Sequence, residues 1–324
     1  MAKIRYIPRK FAETTLLIIA MANRIINEYQ AQGFDLTLRQ LYYQFIGRDL
    51  FPDSWIDEVY NRKHKLAPGT KNTDKNYDRL GSIISDARLA GLIDWLAIVD
   101  RTRSLRGLSN WDSPQDIMSG AERSYHRDLW ATQLWRPEVW IEKDALLGVF
   151  AGVCNEWDTP YFSCRGYTSL SEMWVASQRI LKYIKDGQAP IIFHFGDHDP
   201  SGRDMTRDIR DRLEMFTDHQ IQVKRMALNW KQIEKYGPPP NPTKLTDSRA
   251  RAYVAEFGFD SWELDSMEPQ VLANLVSAGV RSILNKEVWS KAVQQQETER
   301  AQLKAARENW DRIQKALAKP KEAS

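Results

Sequence analysis

Only two cysteines, Cys154 and Cys164, occur in 324 residues. Two cannot build a disulfide framework, and neither has the Cys/His spacing of a zinc site. A reducing, cytoplasmic setting is the expectation that follows. Long apolar runs are lacking too. The longest candidate, Thr14 to Ala22, falls well short of the roughly 18 residues of a membrane span and leads into Arg24. The basic start MAKIRYIPRK is not followed by a small-residue cleavage pattern, so no secretory signal is expected. No G-x-x-x-x-G-K-[ST] motif is present, which removes a Walker-type ATP site from consideration. Internal repeats are absent. So is a strong charge of one sign, the net charge being +3.

What is there is ordinary globular material, 42% hydrophobic and 27% charged, enough for a real core and for more than one domain. The charge is unevenly spread. Residues 1–107 carry 17 Lys and Arg against 12 Asp and Glu, while the remainder is slightly acidic. A basic N-terminal third fits phosphate contact, although an excess of this size is also common on solvated surfaces.

Local patterns divide the chain. Phe11 to Gln32 reads as an amphipathic helix stopped by Gly33. Thr37-Leu-Arg-Gln40 has the form of a capping box, and it opens a helix with Leu38, Leu41, Tyr42, Phe45 and Ile46 on one stripe. Gly47 to Asp53 breaks that helix, His64 to Lys75 reads as a polar loop, and Tyr77 to Ala90 is helical again. Leu92 to Val99 suits a short strand or hairpin arm. Three helices and a β arm are the order of a winged-helix DNA-binding module, for which Arg79, Arg88, Arg101, Arg103 and Arg106 are placed to meet phosphates. A small helical domain with surface arginines is the alternative.

Ser104 to Pro114 is linker-like. Beyond it, apolar strands at Glu138–Ile141, Pro160–Cys164 and Ala189–Phe195 alternate with helices at Asp144–Trp157, Leu170–Ile184 and Ser201–Phe216. This rhythm predicts a parallel sheet with crossover helices. Gly237 to Pro242 is a stiff, proline-rich connector, and Lys286 to Lys319 a long charged helix suited either to a partner or second copy or to solvent. The expected architecture is therefore α/β: a winged-helix region over residues 1–107, a parallel-sheet domain over 115–236 and a helical region over 243–324.

In parallel sheets the working residues lie just past the carboxyl ends of the strands. Glu142 ends the first strand there, and Asp197 and Asp199 follow the third in Gly196-Asp-His-Asp-Pro-Ser-Gly202. Hard oxygen donors at these positions suit Mg²⁺ or Mn²⁺. Asp199 also has the position of an N-cap for the helix that follows. Lys143 and Arg165 flank these acids as phosphate ligands or as plain surface charges. His198 is an exposed loop histidine or a substrate contact, and Asp204 an outer support. Glu263 and Asp265 are capping or surface acids that also have the chemistry to extend the site.

A Glu after a first strand and an Asp-x-Asp after a later one resembles the TOPRIM domain of topoisomerases, primases and some nucleases. Within that superfamily, Ile141-Glu-Lys-Asp-Ala145 and Arg165-Gly-Tyr-Thr-Ser169 look most like the A subunit of topoisomerase VI and its meiotic relatives. The resemblance covers roughly residues 35–205 at the level of motifs. It implies a divalent ion on Glu142 and Asp197, with Asp199 supporting it or holding a second. It also implies a nucleophilic tyrosine four residues after an arginine in the winged helix, matched here by Arg39-Gln-Leu-Tyr-Tyr43. Helical spacing agrees, since Tyr42 lies on the apolar stripe while Tyr43 lies off it with Arg39 alongside. A phenol with an ordinary pKa of about 10 needs such help to act near neutral pH. The resemblance further implies a homodimer in which the tyrosine of one protomer works with the metal site of the other. Strand passage would need a separate ATPase subunit. The expected activity is cleavage of double-stranded DNA by tyrosine transesterification, leaving 5′-phosphotyrosyl ends. A hydrolytic TOPRIM nuclease and a non-catalytic DNA-binding scaffold are the alternatives.

Overall fold

A computed structural model describes residues 3–99 and 110–317. In chain order its helices are α1 (Glu13–Gln30), α2 (Leu38–Gly47), α3 (Glu58–Lys63), α4 (Asp74–Leu89), α5 (Pro114–Ser124), α6 (Leu147–Glu156), α7 (Leu170–Lys185), α8 (Pro200–Thr217), α9 (Trp230–Tyr236), α10 (Ala250–Phe257), α11 (Pro269–Arg281), α12 (Lys286–Glu308) and α13 (Trp310–Leu317). The strands are β1 (Trp135–Ile141), β2 (Tyr161–Ser163), β3 (Ala189–Phe195), β4 (Gln222–Ala227), β5 (Asn241–Pro242) and β6 (Asp260–Ser261). The chain gathers into two compact units. One comprises residues 1–103 and 137–282, the other 104–136 and 283–324. Among the described residues no helix is long and apolar enough to cross a membrane.

In the larger unit, α1, α2 and α4 close around one core that includes Ile25, Tyr29, Leu41, Phe45, Leu80 and Ile84. The capping box is present as read: Thr37 Oγ1 accepts from the Gln40 amide at 3.3 Å, and Gln40 Oε1 accepts from the Thr37 amide at 2.9 Å. Such caps satisfy first-turn donors that would otherwise be orphaned. The expected β arm at Leu92–Val99 is instead a run of turns, with one isolated parallel bridge between Ile98 and Leu36. Asp94 Oδ1 accepts from the Leu96 amide at 2.9 Å, folding the backbone on itself where a strand would need to extend. The short helix α3 lies just before the predicted loop.

The sheet has four parallel strands in the order β2-β1-β3-β4. Alternate residues point to opposite faces, and the packing follows that rule. Trp140 and Ile192 join Met173 and Ile180 of α7 and Ile209 and Leu213 of α8 in one buried cluster. Phe193 and Phe195 point the other way, Phe195 onto Phe150 of α6 (ring centroids 4.7 Å apart) and Phe193 toward Gly279 of α11. Helices therefore cover both faces, as a parallel sheet requires. The strand order reverses between β1 and β3, which start crossovers in opposite directions. That is the topological switch point at which open α/β sheets form a crevice.

The smaller unit is helical. α5, which begins within the predicted linker, packs along α12. Tyr125 Oη donates to Glu299 Oε2 at 2.5 Å, Arg127 pairs with Glu299 Oε1 at 2.6 Å, and the Trp130 and Trp289 rings meet edge to face. One side of the long charged helix is thus covered by its own chain.

Candidate active site

Glu142 leaves the carboxyl end of β1 and Asp197 that of β3, so the two acids flank the switch point from its two sides. They are in contact: Glu142 Oε2 accepts from the Asp197 amide at 2.7 Å. Two glycines make this approach possible. A Cβ on Gly196 would stand 2.9 Å from Glu142 Oε2, and one on Gly202 only 2.4 Å from the Asp197 carbonyl oxygen. Asp199 serves as the N-cap of α8, accepting from the Gly202 amide at 2.6 Å and from Ser201 Oγ at 3.0 Å.

The centre is larger than the three acids read from the sequence. Glu263 and Asp265, in and before a 3-10 turn after β6, come in from far along the chain. The Asp197 carboxylate meets this turn directly, its Oδ1 accepting from the Leu264 amide at 2.7 Å. Lys143 points into the cluster, its Nζ lying 2.7 Å from Glu263 Oε2, 2.9 Å from Asp265 Oδ1 and 3.0 Å from Asp197 Oδ2. Arg39 reaches the same acids from α2, 2.6 Å from Glu263 and 3.4 Å from Asp265. Three carboxylates are thus knitted together by two cations, with Glu142 tied to them through the Asp197 amide, and no three acids, histidines or cysteines among the described residues stand in metal-ligating geometry.

Charge states follow from this arrangement. Burial, reinforced by repulsion from Asp197 and then Asp199, raises Glu142 above the ordinary carboxylate range. Burial raises Asp197 as well, against the opposing pull of Lys143. Burial would raise Glu263 too, but Lys143 and Arg39 outweigh it and hold it at about 2. Burial alone would depress the Lys143 ammonium, yet Asp197, Asp265 and Glu263 keep it above the usual lysine range.

Tyr43 is buried, although its helical position predicted an off-stripe, surface-facing ring. Asn241 and Glu263, brought in by the antiparallel β5–β6 pair, cover it. Asn241 Nδ2 donates to Tyr43 Oη at 3.2 Å and lies 3.3 Å from Glu263 Oε1, while Arg39 Nη2 is 3.5 Å from Tyr43 Oη. Arg39 favours the phenolate, as expected, but not by enough to activate it in this arrangement. Burial and then the Glu263 charge push the phenol well above its ordinary range, and Arg39, already paired with Glu263, only partly offsets them. Tyr43 nevertheless connects to the acidic centre inside one chain, by way of Asn241, Glu263 and Lys143.

The remaining sequence candidates fall elsewhere. His198 is not an exposed loop residue but is buried among Trp230, Tyr253, Phe257 and Trp262, with Nδ1 2.8 Å from Tyr253 Oη. Asp204 binds Tyr167, Arg207 and Arg249 on the surface of α8. Arg165 is exposed and pairs with Asp144. Arg79 lies over the Trp55 ring, and Arg88 packs on Trp95 and donates to its carbonyl at 2.5 Å. Arg101, Arg103 and Arg106 lie outside the described residues.

Sequence reading missed Arg225 on β4. Its guanidinium donates to the carbonyls of Gly196, Asp197, Gly202 and Leu228 and so fixes the Asp-x-Asp loop from behind. The apolar Ile221, Val223 and Met226 around it were the only hint of a fourth strand. In comparisons with known proteins, no family model matches this chain and no curated protein matches it.

Proposed function

We propose that this protein cleaves DNA, with Tyr43 as nucleophile and the acidic centre at the β1–β3 switch point as the group that stabilises charge on the scissile phosphate. One observation carries the reading: a tyrosine hydroxyl on an N-terminal helix joins, within one chain, the hydrogen-bond network of a carboxylate cluster at the end of a parallel sheet. In this reading the N-terminal helices act as a winged-helix-like DNA-binding module and the sheet as a TOPRIM-type domain.

The donor set fits Mg²⁺ or Mn²⁺ of the kind that takes one or two carboxylates and completes its shell with water and substrate phosphate. Glu142 and Asp197 would hold it, with Asp199 nearby, and a divalent charge would offset the burial and the repulsion from neighbouring acids that raise both carboxyls. When bound, the ion supplies Lewis-acid polarisation of the phosphate. The residues do the rest. Tyr43 Oη attacks phosphorus, the bond to the 3′ oxygen breaks, and the products are a 5′-phosphotyrosyl link and a 3′ oxygen that takes up a proton. Asn241 and Arg39, both facing Tyr43 Oη, stabilise the oxygen as its proton leaves. A scissile phosphate at Tyr43 Oη competes with Glu263 for Arg39 and so loosens the ion pair that engages the guanidinium at rest. The resemblance pairs the tyrosine of one protomer with the metal site of the other, whereas this reading uses both groups of one chain; a homodimer would then deliver two such cuts, one in each strand, and strand passage would further require an ATPase supplied by another chain.

Hydrolysis is the second reading, favoured by the burial of Tyr43 and the upward displacement of its phenol. There the same carboxylates act but water attacks. The test is incubation of supercoiled plasmid with the protein and Mg²⁺ or Mn²⁺, stopped with detergent, with and without protease digestion. Protein-linked breaks that vanish in both Tyr43→Phe and Glu142→Ala are the expected result. Cutting that survives Tyr43→Phe but not Glu142→Ala replaces the transesterase with a hydrolase. Cutting unaffected by Glu142→Ala overturns both.

A further inference from the structure

Next to Tyr43 lies a cleft of about 400 Å³, within the range of roughly 300–1,000 Å³ found for small-ligand sites. Its walls are aromatic and amide-bearing. Tyr60, half-buried, and His64, exposed, stack with ring centroids 4.1 Å apart and planes 23° apart, one helical turn from each other on α3 and its C-terminal cap. Tyr77 presents an edge to Tyr42 behind them. Opposite stand two amides in contact, Asn72 Nδ2 donating to Asn241 Oδ1 at 2.5 Å.

Two features point to a missing ligand and to its class. Thr243, which lines the cleft, is only 7% exposed, and its side-chain hydroxyl has no hydrogen-bond partner. Leaving such a group unpaired costs on the order of 1–3 kcal/mol, which rotation of the hydroxyl toward a ligand donor or acceptor in the cleft would relieve. The cleft also lacks surplus positive charge. Arg39 is committed to Glu263, and Asp74 faces the same space as Lys244. Stacking faces, paired amides and a buried hydroxyl, with Arg39 and Lys244 balanced by Asp74 and Glu263, match a nucleobase better than a phosphate.

We propose that this cleft receives one nucleobase swung out of the DNA stack, held against the Tyr60–His64 pair and hydrogen-bonded by Thr243 and the Asn72–Asn241 amides. The proposal rests on the reading of Tyr43 as a residue that meets DNA and adds to it the form of DNA that is bound. Extruding a base is least costly at mismatched or unpaired positions, and aromatic stacking tolerates any base. The protein therefore prefers duplexes with a locally unpaired base over particular sequences.

The test is binding in the presence of a chelator, so that cleavage plays no part. The probes are a duplex carrying one unpaired 2-aminopurine, the same duplex fully paired, and free 2-aminopurine nucleoside monophosphate. The expected result is binding of the unpaired-base duplex about tenfold tighter than the paired one, given the worth of one stacked base, with quenching of the probe. His64→Ala and Thr243→Val each remove that preference and leave paired-duplex affinity unchanged. Thr243→Val also keeps or raises the melting temperature, so a folding defect cannot mimic the loss. Equal affinity for the two duplexes overturns the proposal while leaving Tyr43 chemistry intact. Free nucleotide that competes as strongly as the unpaired-base duplex also overturns it, since the cleft would then be a soluble-nucleotide site. Retained preference in a protein that never cuts DNA sinks only the cleavage reading.

Discussion

Replacing Lys143 by methionine removes the one ammonium that touches Asp197, Glu263 and Asp265 together while keeping a side chain of similar length. Its Nζ is within 3.0 Å of all three carboxylates, and the Asp265 side chain is 1% exposed. Removing one partner of a buried ion pair costs about 3–5 kcal/mol, because the other charge is left without compensation. Glu263 and Asp265 keep Arg39, and Asp197 keeps the Leu264 amide, so the lower end, about 3 kcal/mol, is expected. For a unit of this size that is a fall in melting temperature of roughly 6–12 °C. The sign with pH is also fixed. Carboxyls deprived of their cation titrate higher in the folded than in the unfolded protein, so the deficit shrinks as pH falls toward the ordinary carboxylate range and widens above it. Mg²⁺ should repair part of the loss: an ion present at ten times its dissociation constant returns about 1.4 kcal/mol. Thermal melts of wild type and Lys143→Met, with Mg²⁺ and with chelator, provide the readout. A variant that melts within about 2 °C of wild type, or an Mg²⁺ shift equal in both proteins, would refute the view of Lys143 as the resident cation of this centre.

Tyr43→Phe deletes the oxygen that Asn241 and Arg39 face and should cost about 1 kcal/mol in chemical denaturation. A loss much larger than that would mean the hydroxyl is mainly structural. Because Glu142 is raised, its folded form keeps a proton to higher pH than the unfolded chain, so it weighs against stability as pH rises above the ordinary carboxylate range. Glu142→Gln should therefore gain on wild type between pH 5 and pH 8 in paired melts, and a constant difference would refute that charge state. Gly202→Ala places a Cβ 2.4 Å from the Asp197 carbonyl. It should cost roughly 1–3 kcal/mol, typical of overpacking, and weaken Mg²⁺-dependent stabilisation. Unchanged melts with and without Mg²⁺ would show that the loop has room to spare.

What could be seen in the sequence was what local chemistry decides. The Thr37–Gln40 capping box, the apolar runs of β1 and β3 and the acids at their ends all depend on neighbours a few residues away, and all appear in the structure at those places. The rest depends on contacts from distant segments. Glu263 and Asp265 join the centre only because the β5–β6 pair and the following turn fold back to it. That same return covers Tyr43, so helical periodicity placed its ring on a surface that tertiary packing closes. His198 looked like a loop residue because nothing nearby announces the aromatic shell that α9 and α10 build around it. β4 was passed over because Gln222, Lys224 and Arg225 dilute its apolar alternation, although Arg225 is the residue that holds the Asp-x-Asp loop in place.

The most direct test of the central claim is covalent trapping. End-labelled duplex DNA is incubated with the protein and Mn²⁺, denatured in detergent and resolved on a gel, and any DNA-bearing peptide is mapped. The expected result is label attached through a 5′ phosphate to the peptide containing Tyr43, abolished by Tyr43→Phe and by Glu142→Ala. Cut DNA with free 5′ ends and no labelled peptide would contradict it.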